Sequence, residues 1–400
     1  MIYIDTERLI IKSWCNTPEE GAIKQAKNLA NLPFIFKQVC LMPDTHEGYG
    51  MPIGGVIAAK GVVIPNAVGV DIGCGMLTVN LGKTNLDFGS LDSLIRKFIP
   101  SGMNTHSEPV VGFSKLRNLK CYRRLKNPTR IECSIGTLGG GNHFIEVDTD
   151  DAGSKYLVVH TGSRNLGKQV ADYYQHLAYE LLQGKETLLE EQKRLIASYR
   201  DQGRQAEIQE ALKKLPRVKD VVLPKDLAYL TGKHREDYLH DMEICQEYAS
   251  LNRDIIAKII LSHLRISPVG CFETIHNYID HESNVVRKGA ISAKKGEMLL
   301  IPINMRDGCI IGVGKGNEDW NCSAPHGAGR LMSRAKARQS LGMKAYQDSM
   351  RGIYTTSVCS NTIDEAPMAY KGIEEIMSSI GDTVDIIKVI KPVYNYKATE

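Results

Sequence analysis

Hydrophobic and polar positions follow two patterns along this chain of 400 residues. Short apolar runs bounded by glycine and other turn residues predict buried strands, and apolar residues three or four apart predict helices. Residues 1–40 read as a strand followed by a helix over 18–32. Residues 41–80, rich in Gly, Val and Ile, read as a set of short buried strands, and 84–98 as a helix. Strands and glycine loops return over 131–148; 156–159 is a buried strand and 168–182 a helix. In the charged segment 186–214, Leu189, Leu195, Ile196, Ile208 and Leu212 fall on one side, which predicts a helical hairpin turning near Gly203. A long helix follows over 236–265, then strands and glycine turns over 275–325. Residues 330–341 and 371–378 read as helices. Residues 385–396 read as a terminal strand, and Pro392 predicts an edge position for it, because proline cannot donate to a ladder.

No internal repeat, low-complexity linker or shift in composition divides the chain. The expected class is α+β: one large mixed α/β domain over 1–400, with central sheets, surrounding helices and a helical insertion at about 186–265. A composition of 42% hydrophobic and 24% charged residues excludes a disordered tail protein, a collagen-like repeat and a small stapled scaffold. The net charge of +4 permits nucleic acid or nucleotide partners without requiring them. No apolar run is long enough to span a bilayer and no apolar leader opens the sequence, so a cytoplasmic protein without a membrane partner is expected. The ten cysteines include no Cys-x-x-Cys pair and read as reduced thiols.

Several segments can carry chemistry. Asp71-Ile72-Gly73-Cys74-Gly75 sets a carboxylate and a thiol three residues apart between glycines. His143 follows Gly139-Gly140-Gly141-Asn142, His160 ends an apolar run, and His276 lies in Thr274-Ile275-His276-Asn277. Strand ends and glycine loops hold functional groups on a rigid yet reachable support. An Asp, a Cys and three His can form a divalent-metal site, since imidazole and carboxylate suit Mn, Fe or Zn and a thiolate can bridge two ions. Taken singly, each also fits a satisfied core residue, and spacing alone does not bring them together.

Gly162-Ser163-Arg164-Asn165-Leu166-Gly167-Lys168-Gln169 nearly matches a P-loop, but Gln169 replaces the hydroxyl that would bind magnesium. Arg164 in this loop is a candidate phosphate contact. In Ser323-Ala324-Pro325-His326-Gly327-Ala328-Gly329-Arg330, a histidine is fixed by proline and followed by small residues, with an arginine where a helix is expected to begin. That arrangement suits a nucleophile on phosphorus with Arg330 neutralising the phosphate, or equally a histidine capping a turn. Between Lys115 and Arg130 seven basic residues, Arg123 and Arg124 among them, surround Tyr122 without one acidic neighbour. Such a strip tracks a nucleic acid backbone or forms a solvated face.

Read together, these segments resemble the RtcB family of RNA-splicing ligases. The matching strings are Met42 to Gly48, Val68 to Met76, Gly139 to Glu146, His160 to Asn165, Ile275 to Asn277 and Ala324 to Arg330, in the family's order across most of the chain. The resemblance implies a monomer that joins an RNA 3′-phosphate or 2′,3′-cyclic phosphate end to a 5′-hydroxyl end in tRNA splicing or RNA repair. It would use GTP and two Mn²⁺ ions. His326 would be the guanylylated nucleophile and Cys74 would bridge the ions. Asp71 and His143 would complete one ion, His160 and His276 the other. Asn142, Phe144, Glu146, Asn277, Pro302, Asn304, Met305, Cys309, Gly327, Gly329, Arg330 and Tyr370 would bind GMP, with Glu146 accepting from a guanine edge. Lys397 would be the terminal guanine-contacting lysine, with Lys391 its rival, and Arg164 would contact phosphate or RNA; Arg123 and Arg124 of the basic strip are the further candidate RNA contacts.

Two stretches depart from the family. Pro302-Ile303-Asn304-Met305-Arg306-Asp307-Gly308 stands where many members have a Pro-Gly-Ser-Met-Gly turn, and the ending Tyr394 to Glu400 differs from a Val-Lys-Gly terminus. Rival readings are a cyclic-phosphate phosphoesterase that needs the metal ligands but not His326, an RNA-repair accessory protein without turnover, and a P-loop-like hydrolase that needs Lys168.

Overall fold

The computed structural model describes residues 1–216 and 220–398. A six-stranded sheet has the order β1 (Ile2–Ile4), β2 (Ile11–Ser13), β3 (Val39–His46), β4 (Ile53–Ala58), β12 (Val285–Lys288), β11 (Asn277–Asp280). A seven-stranded sheet has the order β10 (Gly270–Ile275), β6 (Gly75–Gly82), β8 (Lys155–Thr161), β7 (Phe144–Thr149), β17 (Val384–Lys397), β15 (Gly308–Gly314), β14 (Met298–Asn304). Two small ladders pair β5 (Val62–Val63) with β9 (Leu230–Thr231) and β13 (Ala290–Ser292) with β16 (Ser323–Pro325). All pairs are antiparallel except β2 with β3. The architecture is the mixed α/β one expected.

The helices are α1 (Glu20–Ala30), α2 (Pro65–Val68), α3 (Phe88–Phe98), α4 (Pro128–Glu132), α5 (Arg164–Leu182), α6 (Lys185–Asp201), α7 (Ile208–Lys213), α8 (Gly232–Leu264), α9 (Arg334–Ser340), α10 (Met343–Ser349) and α11 (Ile373–Ile380). The hairpin of α6 and α7 buries a single residue, Ala211, as its charged sequence requires. Helix α8 is different. It buries thirteen side chains, including Tyr238, Met242, Tyr248, Ile256 and Ile260, and packs on β6 and β8. It is a core element of the domain.

The expected edge position of the terminal strand is corrected by the structure. β17 lies between β7 and β15. Its first half, Val384–Ile390, pairs with β15, and its second half, Lys391–Lys397, pairs with β7. Pro392 falls just beyond the end of β15, at a bulge in the β7 ladder, so its missing N–H breaks no bond. The helix expected from Arg330 begins instead at Arg334, where the Ser333 hydroxyl accepts from the Lys336 N–H. Arg330 itself forms a bridge to Tyr370. All ten cysteines are free, and among the described residues no helix is long and apolar enough to cross a membrane.

Candidate active site

Strand register brings the distant motifs together. Gly75, at the start of β6, faces Thr161 of β8 on one side and Ile275 of β10 on the other, and Phe144 of β7 faces His160. The loop ending at Cys74, the loop ending at His143, the end of β8 and His276 therefore share one end of the sheet. His276 is the single residue between β10 and β11, where the chain crosses from one sheet to the other.

Two triads result. The ligating atoms of Asp71, Cys74 and His143 lie within 4.8 Å of one another, and so do those of Cys74, His160 and His276. Cys74 Sγ is 3.5 Å from Nε2 of His143 and 3.5 Å from Nε2 of His160. His143 Nδ1–H donates to Leu138 O at 3.0 Å and His160 Nδ1–H to Asn142 O at 3.2 Å. A carbonyl only accepts, so each ring keeps its Nε2 lone pair for the Cys74 side. His276 is buried, with Nδ1 lacking a partner among the described residues.

Electrostatics favours neutral imidazoles here. Burial, then the neighbouring His143, lowers His160 well below its ordinary value; burial and His326 do the same to His276. Burial opposes the charge of Asp71, but His143 and the Arg164 guanidinium outweigh it and hold the carboxyl down to about 2. Burial and Asp71 together push the Cys74 thiol well up. Imidazole nitrogens, a carboxylate and a thiol converge at Cys74, with Arg164 engaged on the Asp71 and His143 side. The donor set fits divalent cations, whose binding would deprotonate the thiol.

The loops are braced from α8. Asn252 Oδ1 accepts from Gly136 N and Thr137 N, and its Nδ2 donates to Gly162 O. Arg253, fully buried, donates to Gly73 O at 2.9 Å, to Thr161 O at 2.6 Å and to Glu273 at 2.7 Å. Arg164 lies beneath the triads rather than on the surface. Its guanidinium sits 3.3 Å from His143 Nδ1 and donates to Gly102 O. A Cβ on Gly139 would lie 1.7 Å from that guanidinium, which is why the loop uses glycine. Lys168 does not reach the site; it pairs with Asp172 on the exposed face of α5, so the P-loop reading has no geometry behind it.

His326 follows β16 and lies beside the second triad, its ring centroid 4.9 Å from that of His276. Its Nδ1–H donates to the buried carboxylate Asp44 Oδ2 at 2.6 Å, leaving the Nε2 lone pair uncommitted. Gly329 has φ +75°, and a Cβ there would come 2.6 Å from Asp44 Cα. Small residues after His326 therefore let its loop approach β3.

A cavity of about 330 Å³ opens beside His160 and His326. Of the residues named from the sequence, Asn142, Phe144, Glu146, Pro302, Asn304, Met305, Gly327, Gly329, Arg330, Tyr370 and Lys397 line it. Lys391 is exposed and does not. Asn277 is a brace instead, donating to Asp71 O and accepting from Gly289 N. Cys309 lies behind Glu146, its thiol directed at Oε1 from 3.8 Å. Arg123 and Arg124 are exposed in the turn Tyr122–Arg124, outside the cavity.

Sequence reasoning assigned no role to Asp44, Arg334, Glu365 or Asn395. Glu365 accepts from Lys397 at 2.5 Å, Arg334 at 2.6 Å and Tyr370 at 2.8 Å. Burial works against its charge, but Lys397 and Arg334 overcome that and hold it down to about 2. Arg330 lies over the Tyr370 ring, 4.9 Å from its centroid. Asp44 stands inside a quoted string, so its presence was visible; Glu365 carried no local signal.

Fold and site together define a class: a mixed α/β protein whose two triads, sharing Cys74, border a cavity with a carboxylate-bonded histidine at its rim. The family model of the tRNA-splicing ligase RtcB matches residues 25–121 and 115–398, and the chain belongs to the RtcB family. It is 32% identical to the RNA-splicing ligase RtcB of Escherichia coli K12, covering 98% of both chains. It is 28% identical to the tRNA-splicing ligase RtcB of Archaeoglobus fulgidus, over 90% of this chain and 87% of that one. The corresponding protein of Thermococcus kodakarensis is 26% identical over the same shares, 90% and 87%.

Proposed function

We propose that this chain is an RNA ligase that joins 3′-phosphate or 2′,3′-cyclic phosphate ends to 5′-hydroxyl ends, using GTP and Mn²⁺. The observation that carries the reading is the placement of His326, bonded to Asp44 and adjacent to the triads, at the rim of a cavity of about 330 Å³. Membership of the RtcB family and the relatives' names support it.

The Asp44 carboxylate orients His326 and favours positive charge on its ring as Nε2 attacks the α-phosphorus of GTP. The P–O bond to pyrophosphate breaks and a histidine–GMP phosphoramidate forms. Arg330 and Arg334 at the cavity wall neutralise phosphate charge, and Tyr370 and Phe144 offer ring faces to the base. A 3′-phosphate oxygen then displaces His326 from the GMP phosphorus, and the 5′-hydroxyl displaces GMP from the activated end. A cyclic phosphate is first opened by water. Asp71, Cys74, His143, His160 and His276 would hold two Mn²⁺ ions, which when bound supply Lewis-acid polarisation of phosphate oxygens.

The test is incubation of the full chain with α-labelled GTP and Mn²⁺, then denaturing electrophoresis. An acid-labile labelled band that is lost in His326→Ala, while manganese stays bound, is expected. A band retained in His326→Ala places the nucleophile elsewhere. Cyclic-phosphate opening without any band makes the chain a phosphoesterase.

A further inference from the structure

Below the cavity lies a second acidic cluster that the chemistry above does not use. Strand alternation puts Phe144, Glu146 and Asp148 on one face of β7. Phe144 and Glu146 line the cavity; Asp148 is one step deeper and has no exposed surface. Both Asp148 oxygens lack a donor among the described residues. Its cross-strand neighbour Tyr156 directs its hydroxyl to Asp150, where Lys388 also binds, and its other neighbour is Pro392. Glu146 has what Asp148 lacks. Asn395 Nδ2 donates to its Oε2 at 2.5 Å and the Cys309 thiol points at Oε1.

The ligating atoms of Glu146, Asp148 and Cys309 lie within 4.8 Å of one another. Two carboxyls this close and this buried do not both ionise; they share a proton. The donors decide where it resides. Asn395 and the Lys397 charge favour ionised Glu146, whereas Asp148 has only the Cys309 thiol, which it shares with Glu146. Burial raises both groups, Asp148 the further because the Glu146 charge adds to it.

We propose that Asp148 is a positioning residue that stays protonated and donates its O–H to Glu146, and that this bond aims Glu146 at a base edge carrying two adjacent N–H donors, as guanine does. The inference rests on reading the cavity as a guanine-nucleotide site. With Asn395 and Asp148 occupying its inner lone pairs, Glu146 presents only acceptors to the cavity. It therefore suits the N1–H and N2–H₂ edge of guanine and is mismatched to the bare N1 of adenine.

The test uses the full chain with Asp148→Asn and Asp148→Val. An infrared difference spectrum between the native protein and Asp148→Asn should show the carbonyl stretch of one neutral carboxylic acid at neutral pH. Competition of GTP and ATP against a fluorescent guanine nucleotide reads selectivity. Asp148→Asn keeps a donor in place and should hold the GTP preference within about threefold, whereas Asp148→Val should lose about tenfold or more. The proposal is overturned by a missing carboxylic-acid band, or by Asp148→Asn losing selectivity as Asp148→Val does. Loss of one bound divalent cation per chain in Asp148→Asn also overturns it, making the cluster a cation site. Should Asp148→Val not fold, the infrared band and Asp148→Asn decide alone. A band in a native protein that binds ATP as well as GTP keeps the proton on Asp148 but overturns the assigned selectivity and the guanine reading of the cavity with it.

Discussion

The clusters around Cys74 and Cys309 are built from similar parts on the same sheet. Each buries a thiol beside carboxyl groups, and in each the thiol is pushed well above its ordinary value. The difference is nitrogen. Around Cys74, three imidazoles contribute lone pairs, two of them fixed by Nδ1–H bonds to carbonyls, and the Asp71 carboxyl stays ionised beside Arg164. Around Cys309 no imidazole joins the group among the described residues, the carboxyls face each other, and the Lys397 charge acts on Glu146. The first arrangement offers nitrogen, thiol and carboxylate donors and suits divalent cations; the second is completed by a single proton. Residue type alone does not separate a metal centre from a proton-sharing pair. What separates them is which lone pairs are left unspent.

Cysteine substitutions break this comparison most severely. Cys74→Ala removes the ligand common to both triads and should abolish manganese binding, with ligation falling on the order of a thousandfold or more. Cys309→Ala should leave manganese content unchanged. Equilibrium dialysis with each variant, alongside a ligation assay, checks the pair; a fully active Cys74→Ala would refute the bridging role. Because burial and Asp71 keep the Cys74 thiol protonated, metal binding must release that proton. Manganese affinity should therefore rise with pH, and a pH-independent affinity would mean that the thiol is not a ligand.

A smaller effect is expected at Asp44. Asp44→Asn keeps the shape but removes the carboxylate that meets His326 Nδ1 at 2.6 Å. The rate of GMP–protein formation should fall about a hundredfold with manganese still bound. An unchanged rate would mean that Asp44 only packs against the loop at Gly329.

Much of the site was legible in the sequence because it sits in contiguous strings. Asp71 with Cys74, and Asn142 through Glu146, are local patterns, and glycines beside them mark places where chain passes close to chain. The pairing of Asp44 with His326 was not legible, since the two are brought together across the fold by β3 and β16. Glu365 and Asn395 lie in segments without any distinctive pattern. Asn252 and Arg253 read as ordinary residues of a long helix, and only the packing of α8 under the sheet turns them into braces. Pro392 was misjudged because a strand that changes partners halfway along accommodates a proline in its interior, which no single-strand pattern reveals.

Glu365 sharpens the contrast from the stability side, as a buried carboxylate with the donors that Asp148 lacks. Its folded value is depressed from 4.5 to about 2, so it contributes stability above the unfolded value, and that contribution is lost as pH falls toward the folded one. Glu365→Gln should cost on the order of 3 kcal/mol at neutral pH. The gap to the native protein should shrink as the medium is taken to about pH 3. Urea denaturation at both pH values checks this. A gap of constant size would show that lost shape complementarity, and not charge, is what the substitution removes.

The smallest effect is expected furthest from both clusters. Arg123 and Arg124 are exposed, whereas Lys115 in the same strip is engaged with Glu247 and Arg130 with Met103 O. If RNA reaches the cavity across this face, Arg123→Ala with Arg124→Ala should weaken binding a few-fold. It should also lower the slope of log affinity against log salt by about 1 to 2, because two phosphate contacts no longer release counterions. Formation of the GMP adduct needs no RNA and should be unaffected, which separates the strip from the cavity. Binding measured over a salt series decides the matter: a slope identical to that of the native chain makes the strip a solvated face and directs the RNA to another approach to His326.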